Sequence, residues 1–327
     1  VADGETRRIL VTGAVGQIGS ELTLLLRERY GNENVLAADL RHDIPAEVAA
    51  SGPFESIDVT NIRKLRDLCI RYEINTIYHL AAILSGSGER NPDLAWHVNM
   101  EGLKNVLDIA NERKMARVMV PSSIAVFGPS TPRDQTPQET QLRPTSIYGV
   151  TKVAGELLCD YYYRKFDLDV RGVRYPGLIS WKTQPGGGTT DYAVEIFHEA
   201  INTGRYTCFV KPETTLPMMY MPDALRGLVT LAEADGSRLR YRNAYNLASF
   251  SFSVQELAAV IKKHMPGFEI SYEPDYRQAI ADGWPKTIDD SAAQQDWGWK
   301  PEFDLEAMVV DMLENLRQVY GEKETVE

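Results

Sequence analysis

Short, nearly continuous apolar runs alternate with longer segments whose apolar residues recur every three to four positions through the first half of the chain. Arg8–Thr12, Val35–Asp39, Ser56–Val59, Thr76–Ala82, Arg117–Pro121 and Val170–Tyr175 read as strands. Most lack polar alternation, as expected when both faces of a parallel sheet are covered. Helical patterns fill the intervals at Gln17–Tyr30, Asn61–Tyr72, Pro92–Arg113 and Ser146–Phe166. This alternation implies right-handed crossovers and an α/β fold with a doubly wound parallel sheet. After Tyr175 the texture changes. A Gly/Pro/Thr loop at Lys182–Thr190 precedes a helix near Tyr192–Asn202, and further helices are expected after Pro222, Ser253 and Asp304. Ser253 and Glu256 have capping-box spacing. Breakers at Pro212–Pro222, Pro266–Gly267, Pro274 and Gly283–Pro285 give this part the character of a smaller α+β lobe. The expected division is 1–180 for the sheet domain and 181–327 for the lobe, some of whose segments would return to the sheet domain.

Composition narrows the class without altering that layout. With 327 residues, 43% hydrophobic and 25% charged, the chain is globular and long enough to bury a large core. No run of eighteen apolar residues occurs, so no membrane partner is expected. Lys+Arg 35 against Asp+Glu 46 leaves a net charge of −11, which speaks against a general nucleic-acid surface. Cys69, Cys159 and Cys208 lie far apart, so separately buried thiols are expected rather than disulfides or structural zinc. The first strand begins within about eight residues, with neither a signal h-region nor an Arg/Ser-rich presequence. A soluble intracellular protein is expected, cytoplasmic in a bacterium, or in the mitochondrial matrix of a eukaryote once a presequence is removed.

Chemistry enters at Gly13-Ala-Val-Gly16-Gln17-Ile18-Gly19, which follows the first strand and opens the first helix. A dinucleotide pyrophosphate needs a tight turn, close backbone approach and helix N–H donors, and glycines there serve all three. Asp39, followed by Leu40 and Arg41, ends the second strand twenty residues beyond Gly19, where a carboxylate binds ribose hydroxyls and repels a 2′-phosphate. NAD is therefore expected over NADP, although Arg41 could soften the choice, and Asp39 could instead cap its own turn. Asp58 and Val59 could flank the adenine; Asp58 could equally be a loop cap.

Tyr148 and Lys152 stand four apart at the start of a helical pattern, so both project from one face. Ser123 falls at the C-terminal end of the fifth strand, where doubly wound sheets place ligands. In an alcohol oxidation Tyr148 would take the proton, Ser123 would hydrogen-bond the same oxygen, and Lys152 would favour the phenolate and grip the nicotinamide ribose. Ordinary helix-surface packing explains most isolated Tyr-x-x-x-Lys pairs; the glycine turn, Asp39 and Ser123 change that balance.

Thr12-Gly-x-x-Gly-x-x-Gly19, His79-Leu-Ala-Ala82, Pro121-Ser-Ser-Ile-Ala-Val-Phe-Gly128 and Tyr148-Gly-Val-Thr-Lys152 together resemble the extended short-chain dehydrogenase/reductases over essentially the whole chain. The resemblance implies a Rossmann domain with a C-terminal substrate lobe. It also implies that Ser123, not Ser122, is the hydroxyl partner, and that Leu80, Ala81, Ala82, Asn99, Tyr175 and Leu178 line the cofactor site. Gly186–Ala193, Asp282–Asp290 and Asp296–Pro301 are similar to the zinc-free, short-chain L-threonine 3-dehydrogenases. L-threonine is then the implied substrate and no metal is expected. Ser85, in a Ser-Gly-Ser-Gly loop after the fourth strand, offers a polar contact; Thr189, Thr190 and Trp284 are substrate-binding by resemblance, and Thr189 could instead cap the helix beginning near Asp191. His79 and His97 are expected to be packing residues, Tyr161–Tyr163 helix surface and interface, and Asp223 a helix start; Asp289–Asp290 could be a carboxylate pair, though a helix N-terminus explains them as well.

Two rivals remain. A nucleotide-sugar 4-epimerase or dehydratase would use the same Ser/Tyr/Lys apparatus, with Arg205, Arg226 or Arg277 available for a diphosphate. A dinucleotide-sensing regulator need not keep Ser123, Tyr148 and Lys152 together. A homodimer is also expected, through Val150, Val153, Ala154, Leu157 and Leu158 with Leu103, Val106, Leu107 and Ala110, unless these are internal core.

Overall fold

A computed structural model describes residues 7–184 and 186–324, so Pro185 of the expected Lys182–Thr190 loop lies outside the described residues. The first half runs β1 (Ile9–Thr12), α1 (Gln17–Tyr30), β2 (Val35–Asp39), α2 (Ala46–Ser51), β3 (Phe54–Ser56), α3 (Ile62–Arg71), β4 (Thr76–His79), α4 (Ser85–Arg90), α5 (Pro92–Trp96), α6 (Gly102–Glu112), β5 (Arg117–Met119), β6 (Ser122–Ser123), α7 (Ile147–Phe166), β7 (Val170–Arg171), β8 (Val173–Tyr175) and β9 (Gly177–Ile179). The remainder runs α8 (Tyr192–Thr203), β10 (Arg205–Cys208), β11 (Thr215–Tyr220), α9 (Met221–Glu233), β12 (Tyr245–Asn246), β13 (Phe250–Ser253), α10 (Val254–His264), β14 (Glu269–Tyr272), α11 (Arg277–Asp282), α12 (Ser291–Trp297) and α13 (Leu305–Glu324).

Six parallel strands form the central sheet in the order β3-β2-β1-β4-β5-β7, the doubly wound arrangement expected. Its continuous apolar strands serve two cores. Ile9, Val11, Val35 and Ala37 face α1, α9 and Trp297–Trp299, whereas Leu10, Leu36 and Ala38 face α3, α6 and α7. A third core joins Ile124–Phe127 to α8, α10 and α13. Smaller sheets, β12-β8-β6 and β13-β11-β9, extend from the C-terminal edge of the first, and β10 pairs with β14. All three cysteines are buried free thiols; burial pushes Cys69 up to about 12 and Cys208 up to about 11.

Several expected elements are shorter or interrupted. The third strand is Phe54–Ser56 rather than Ser56–Val59: Ile57 N–H still reaches the Asp39 carbonyl at 2.9 Å, but Asp58 then caps a turn by accepting from Thr60 N–H, also at 2.9 Å. The fourth ends at His79 and the fifth at Met119. Val170–Tyr175 breaks at Gly172, where a Cβ would lie 2.0 Å from the Val120 carbonyl oxygen. Pro92–Arg113 is interrupted by a π-turn, His97–Glu101, and the Ser-Gly-Ser-Gly segment is a helix, not a loop. The capping box at Ser253 and Glu256 is present in both halves.

The expected apolar interface on α6 is internal: Leu103, Val106, Leu107 and Ala110 all belong to the core beneath the sheet. Apolar surface is exposed instead on Leu94 and Trp96 of α5 and on Val150, Leu157, Tyr161 and Phe166 of α7, helices that pack together. Tyr162 is buried, its hydroxyl donating to Asp108, so it is not surface. His97 is exposed rather than packed, while His79 is buried. Asp223 and Asp290 do stand at helix starts. Among the described residues, no helix is long and apolar enough to cross a membrane.

Candidate active site

Between β1 and β4 the strand order reverses, and a cavity of about 260 Å³ opens at the C-terminal ends of these strands. Its floor is the turn Gly13–Gly19. Gly13 has φ +71°, and a Cβ there would sit 2.6 Å from Ala81 N; a Cβ on Gly19 would sit 2.0 Å from the Gly13 oxygen. Backbone therefore packs on backbone and only glycine fits. Helix α1 starts here with no side-chain cap and no acidic residue in its first turn, leaving a positive N-terminus facing the cavity. This cradle suits a dinucleotide pyrophosphate.

Asp39 lies beside the turn rather than in the cavity lining. Its Oδ2 accepts from Val15 N–H and its Oδ1 from Arg41 N–H, each at 2.9 Å, so it does cap its own loop. Leu40 and Arg41 are exposed, and Arg41 pairs with Asp43. Asp58 is exposed, and Val59 is buried beside Gly102. These five residues are not among those that line the cavity; Gly13, Gly16, Gln17, Ile18, Gly19, Leu80, Ala81, Ala82, Asn99, Tyr175 and Leu178 are.

The π-turn explains how Asn99 gets there. The extra residue in the turn lets its Oδ1 accept from Ile83 N–H at 2.8 Å while Nδ2 donates to the Ile83 carbonyl and to Thr151 Oγ1. Asn99 thereby pins the chain leaving β4 to α7. Ser146 caps α7, accepting from Gly149 N–H at 3.1 Å, and fixes where Tyr148 emerges. Lys152, one turn on, donates to the Pro121 carbonyl at 2.8 Å, and its Nζ lies 5.5 Å from the Tyr148 ring centre. Ser123 leaves β6 into the same cavity, its Oγ accepting from Ala125 N–H at 3.2 Å. Next to them, burial pushes the His79 imidazole down to about 3, and its Nδ1 pairs with Thr12 Oγ1 at 2.8 Å.

The outer wall comes from α4 and from the segment before α8. Ser85, Thr189, Thr190 and Trp284 all line the cavity. Thr189 is 2% exposed, and its hydroxyl has no hydrogen-bond partner among the described residues. Gly187 and Gly188 donate to Asp191 Oδ2, both at 2.7 Å, and burial raises that carboxyl. A Cβ on Gly86 of α4 would sit 2.2 Å from the Gly187 oxygen, so the two walls touch backbone to backbone.

Sequence reasoning missed Ser122, Thr151, Glu156 and Asp191, which also line the cavity. Glu156 carried a signal, since it repeats the four-residue spacing of Tyr148 and Lys152. The three candidate diphosphate arginines lie elsewhere: Arg205 pairs with Glu269, Arg226 with Asp223 and Glu302, and Arg277 with Asp275 while stacking on Phe209. Among the described residues, Lys152 is the only lysine or arginine in the cavity lining. No cluster of His, Cys, Asp and Glu among the described residues could hold a metal ion.

Residues 9–248 match the model of the NAD dependent epimerase/dehydratase family. The chain is 50% identical over 312 residues to an uncharacterized epimerase/dehydratase of Staphylococcus haemolyticus, covering 95% of this chain and 98% of that protein. Its fold is similar to that of an L-threonine dehydrogenase from Clostridium difficile, with a TM-score of 0.94 and 50% identity over 96% of this chain and 99% of that one. A monomeric L-threonine 3-dehydrogenase from a metagenome gives a TM-score of 0.91 and 49% identity, covering 95% and 99%.

Proposed function

Since the chain belongs to the NAD-dependent epimerase/dehydratase family, an extended short-chain dehydrogenase/reductase with NAD as its cofactor, we propose that it oxidises L-threonine at the β-carbon. The products are 2-amino-3-oxobutanoate, NADH and a proton. When bound, NAD accepts the hydride from that carbon. The glycine turn and the uncapped start of α1 would hold its pyrophosphate, Asp39 its adenosine ribose, and Asn99, Tyr175 and Leu178 would border its nicotinamide half. The protein's side chains handle the proton. Tyr148 takes it from the hydroxyl while Ser123 hydrogen-bonds the same oxygen. Lys152, tethered to the Pro121 carbonyl, places positive charge beside the ring, where it favours the phenolate that receives the proton and becomes phenol as the hydride leaves.

The make-up of the outer wall carries the substrate reading. Ser85, Thr189 and Thr190 present small hydroxyls beneath Trp284, and no arginine lines the cavity among the described residues. A nucleotide diphosphate would find only Lys152 there, already tethered. A small zwitterion, by contrast, can use the Thr189 hydroxyl, which has no partner among the described residues. Net NADH release, assayed against a panel of amino acids and UDP-sugars, tests the proposal: L-threonine alone should yield NADH. An epimerase would instead interconvert a UDP-sugar with no net NADH. Tyr148→Phe keeps the ring and should keep NAD affinity, yet lose roughly 100- to 10,000-fold in kcat. Near-parental turnover would remove Tyr148 from the mechanism.

A second copy of the chain is the proposed cover for the exposed apolar face of α5 and α7. Leu157 at 64%, Tyr161 at 53% and Trp96 at 49% exposure are its most open side chains, and burying such surface is the usual basis of a two-fold contact. Light scattering should give a dimer mass, and Leu157→Glu should shift it towards the monomer; a parent that stays monomeric at all concentrations would end this proposal.

A further inference from the structure

Behind Tyr148 and Lys152 lies a buried ion pair that the chemistry above does not use. Tyr148, Lys152 and Glu156 follow one another at four-residue intervals on α7 and share one helix face. That face meets the segment leading into Ser123. Lys152 Nζ donates to the Pro121 carbonyl at 2.8 Å, and Ser122 Oγ donates to Glu156 Oε1 at 2.5 Å. Arg174 clamps the same carboxylate, its Nε and Nη2 donating to Oε1 and Oε2 at 2.9 and 2.8 Å. It sits on β8 in register with Ser122, and its Nη1 reaches the Gln138 carbonyl at 3.0 Å and Asn246 Oδ1 at 3.2 Å.

Both charged groups are buried. Such a pair contributes little net stability, because the cost of desolvation offsets the Coulomb attraction, and apolar residues of similar volume would hold the same elements together. Directional bonds do something apolar packing does not: they fix how far α7 is slid and rotated against β6 and β8. We infer that Glu156 is a positioning residue which, with Arg174 and Ser122, locks the helix bearing Tyr148 and Lys152 against the strand bearing Ser123. The inference rests on the acid–base reading of those three residues. Arg174 has a second effect. Lys152 and Glu156 have the (i, i+4) spacing at which ammonium and carboxylate ordinarily pair. Arg174 occupies both carboxylate oxygens, so the Lys152 charge stays with Pro121 and Tyr148 at the cavity.

Removing one charge alone would strand the other in the interior and unfold the site. The test therefore replaces the whole network by apolar groups, as Ser122→Ala with Glu156→Leu and Arg174→Met. Turnover is expressed per NAD-binding site, so that loss of folded protein does not count. A misplacement on the order of 1 Å costs roughly 100-fold in rate; kcat per site should fall by about that factor while the Kd for NAD and the KM for threonine stay within about threefold. A purely structural role would lower the number of sites and leave turnover per site unchanged. Acetylation of Lys152 in the NAD-free protein, followed by peptide mass, should become faster as the tether to Pro121 loosens. Parental values for both turnover per site and Lys152 labelling would overturn the inference. If the triple variant does not fold, Ser122→Ala alone leaves the ion pair whole; it should lose about 3- to 10-fold in kcat per site, and parental turnover and labelling there would likewise overturn it. A parent that releases no NADH from L-threonine would sink the substrate reading only, since the labelling arm needs neither substrate nor NAD.

Discussion

Gly13–Gly19 and the Gly186–Gly188 segment, through Gly188, both reach one cavity, and the surroundings of their glycines differ. In the first segment a Cβ would strike backbone, at 2.6 Å on Gly13 and 2.0 Å on Gly19. In the second, among the described residues, a Cβ on Gly186 meets Leu84 at an ordinary 3.8 Å and one on Gly187 meets Ser87 at 4.0 Å, so Gly187 needs glycine only for its φ of +93°; one on Gly188 would meet a side chain rather than backbone, Asp191 Oδ1 at 2.7 Å. The close approach there is served by Gly86 on the facing helix. One segment is glycine because there is no room; the other is held in place chiefly by the Asp191 carboxylate. The first suits a cofactor that must always be seated the same way; the second is shaped by side-chain hydrogen bonds rather than by crowding.

The largest break in this comparison should come from Gly19→Ala, where the clash is with a carbonyl that cannot swing away. Overpacking typically costs about 1–3 kcal/mol, and a clash with fixed backbone belongs at the upper end, so NAD binding should weaken roughly 100-fold by calorimetry; unchanged affinity would mean the turn is looser than its contacts say. Next comes Thr190→Val on the outer wall. Loss of a hydrogen bond to a charged substrate group should lower kcat/KM for threonine about 10- to 150-fold with NAD affinity intact. If both Thr190→Val and Thr189→Val match the parent, that wall is structural and the substrate clamp lies elsewhere. Asp39→Gly should narrow the NAD-to-NADP efficiency ratio by about tenfold, near the worth of one charge-assisted hydrogen bond; an unchanged ratio would leave Asp39 only its loop-capping bonds to Val15 and Arg41. Smallest of all, Gly186→Ala makes only an ordinary contact with Leu84 and should change kcat/KM by no more than about twofold, as surface substitutions do.

How legible each region was follows from the same contrast. Helix α1 was read to its end residues, because Gly16 and Gly31 bound it and its apolar spacing is regular. The capping box of α10 was legible for a similar reason, since Ser253 and Glu256 act locally. Helix α4 was not, because Ser-Gly-Ser-Gly has poor helix propensity and the segment is held by neighbours: Gly88 packs near Ala95 and Ile147, and Glu89 accepts from Ile147 N–H. Nor could periodicity show which apolar residues of α6 and α7 face inward, since both faces are apolar and only packing separates Leu107 from Leu157. In the site, residues with a local motif were found, whereas Ser122 and Glu156 matter through Arg174, which arrives from another strand.

The π-turn at His97–Glu101 carries one residue more than a regular helix would need there. Deleting a single residue from it would restore uniform pitch and leave every apolar residue of α6 in its place. The same deletion would draw in the wide turn itself and shift the side chains it carries, moving Asn99 away from Ile83 and Thr151. A shorter, more regular helix would thus come with a detached wall. In this stretch an alignment gap of one residue would be a functional difference between two chains, even where every side chain facing the cavity is the same.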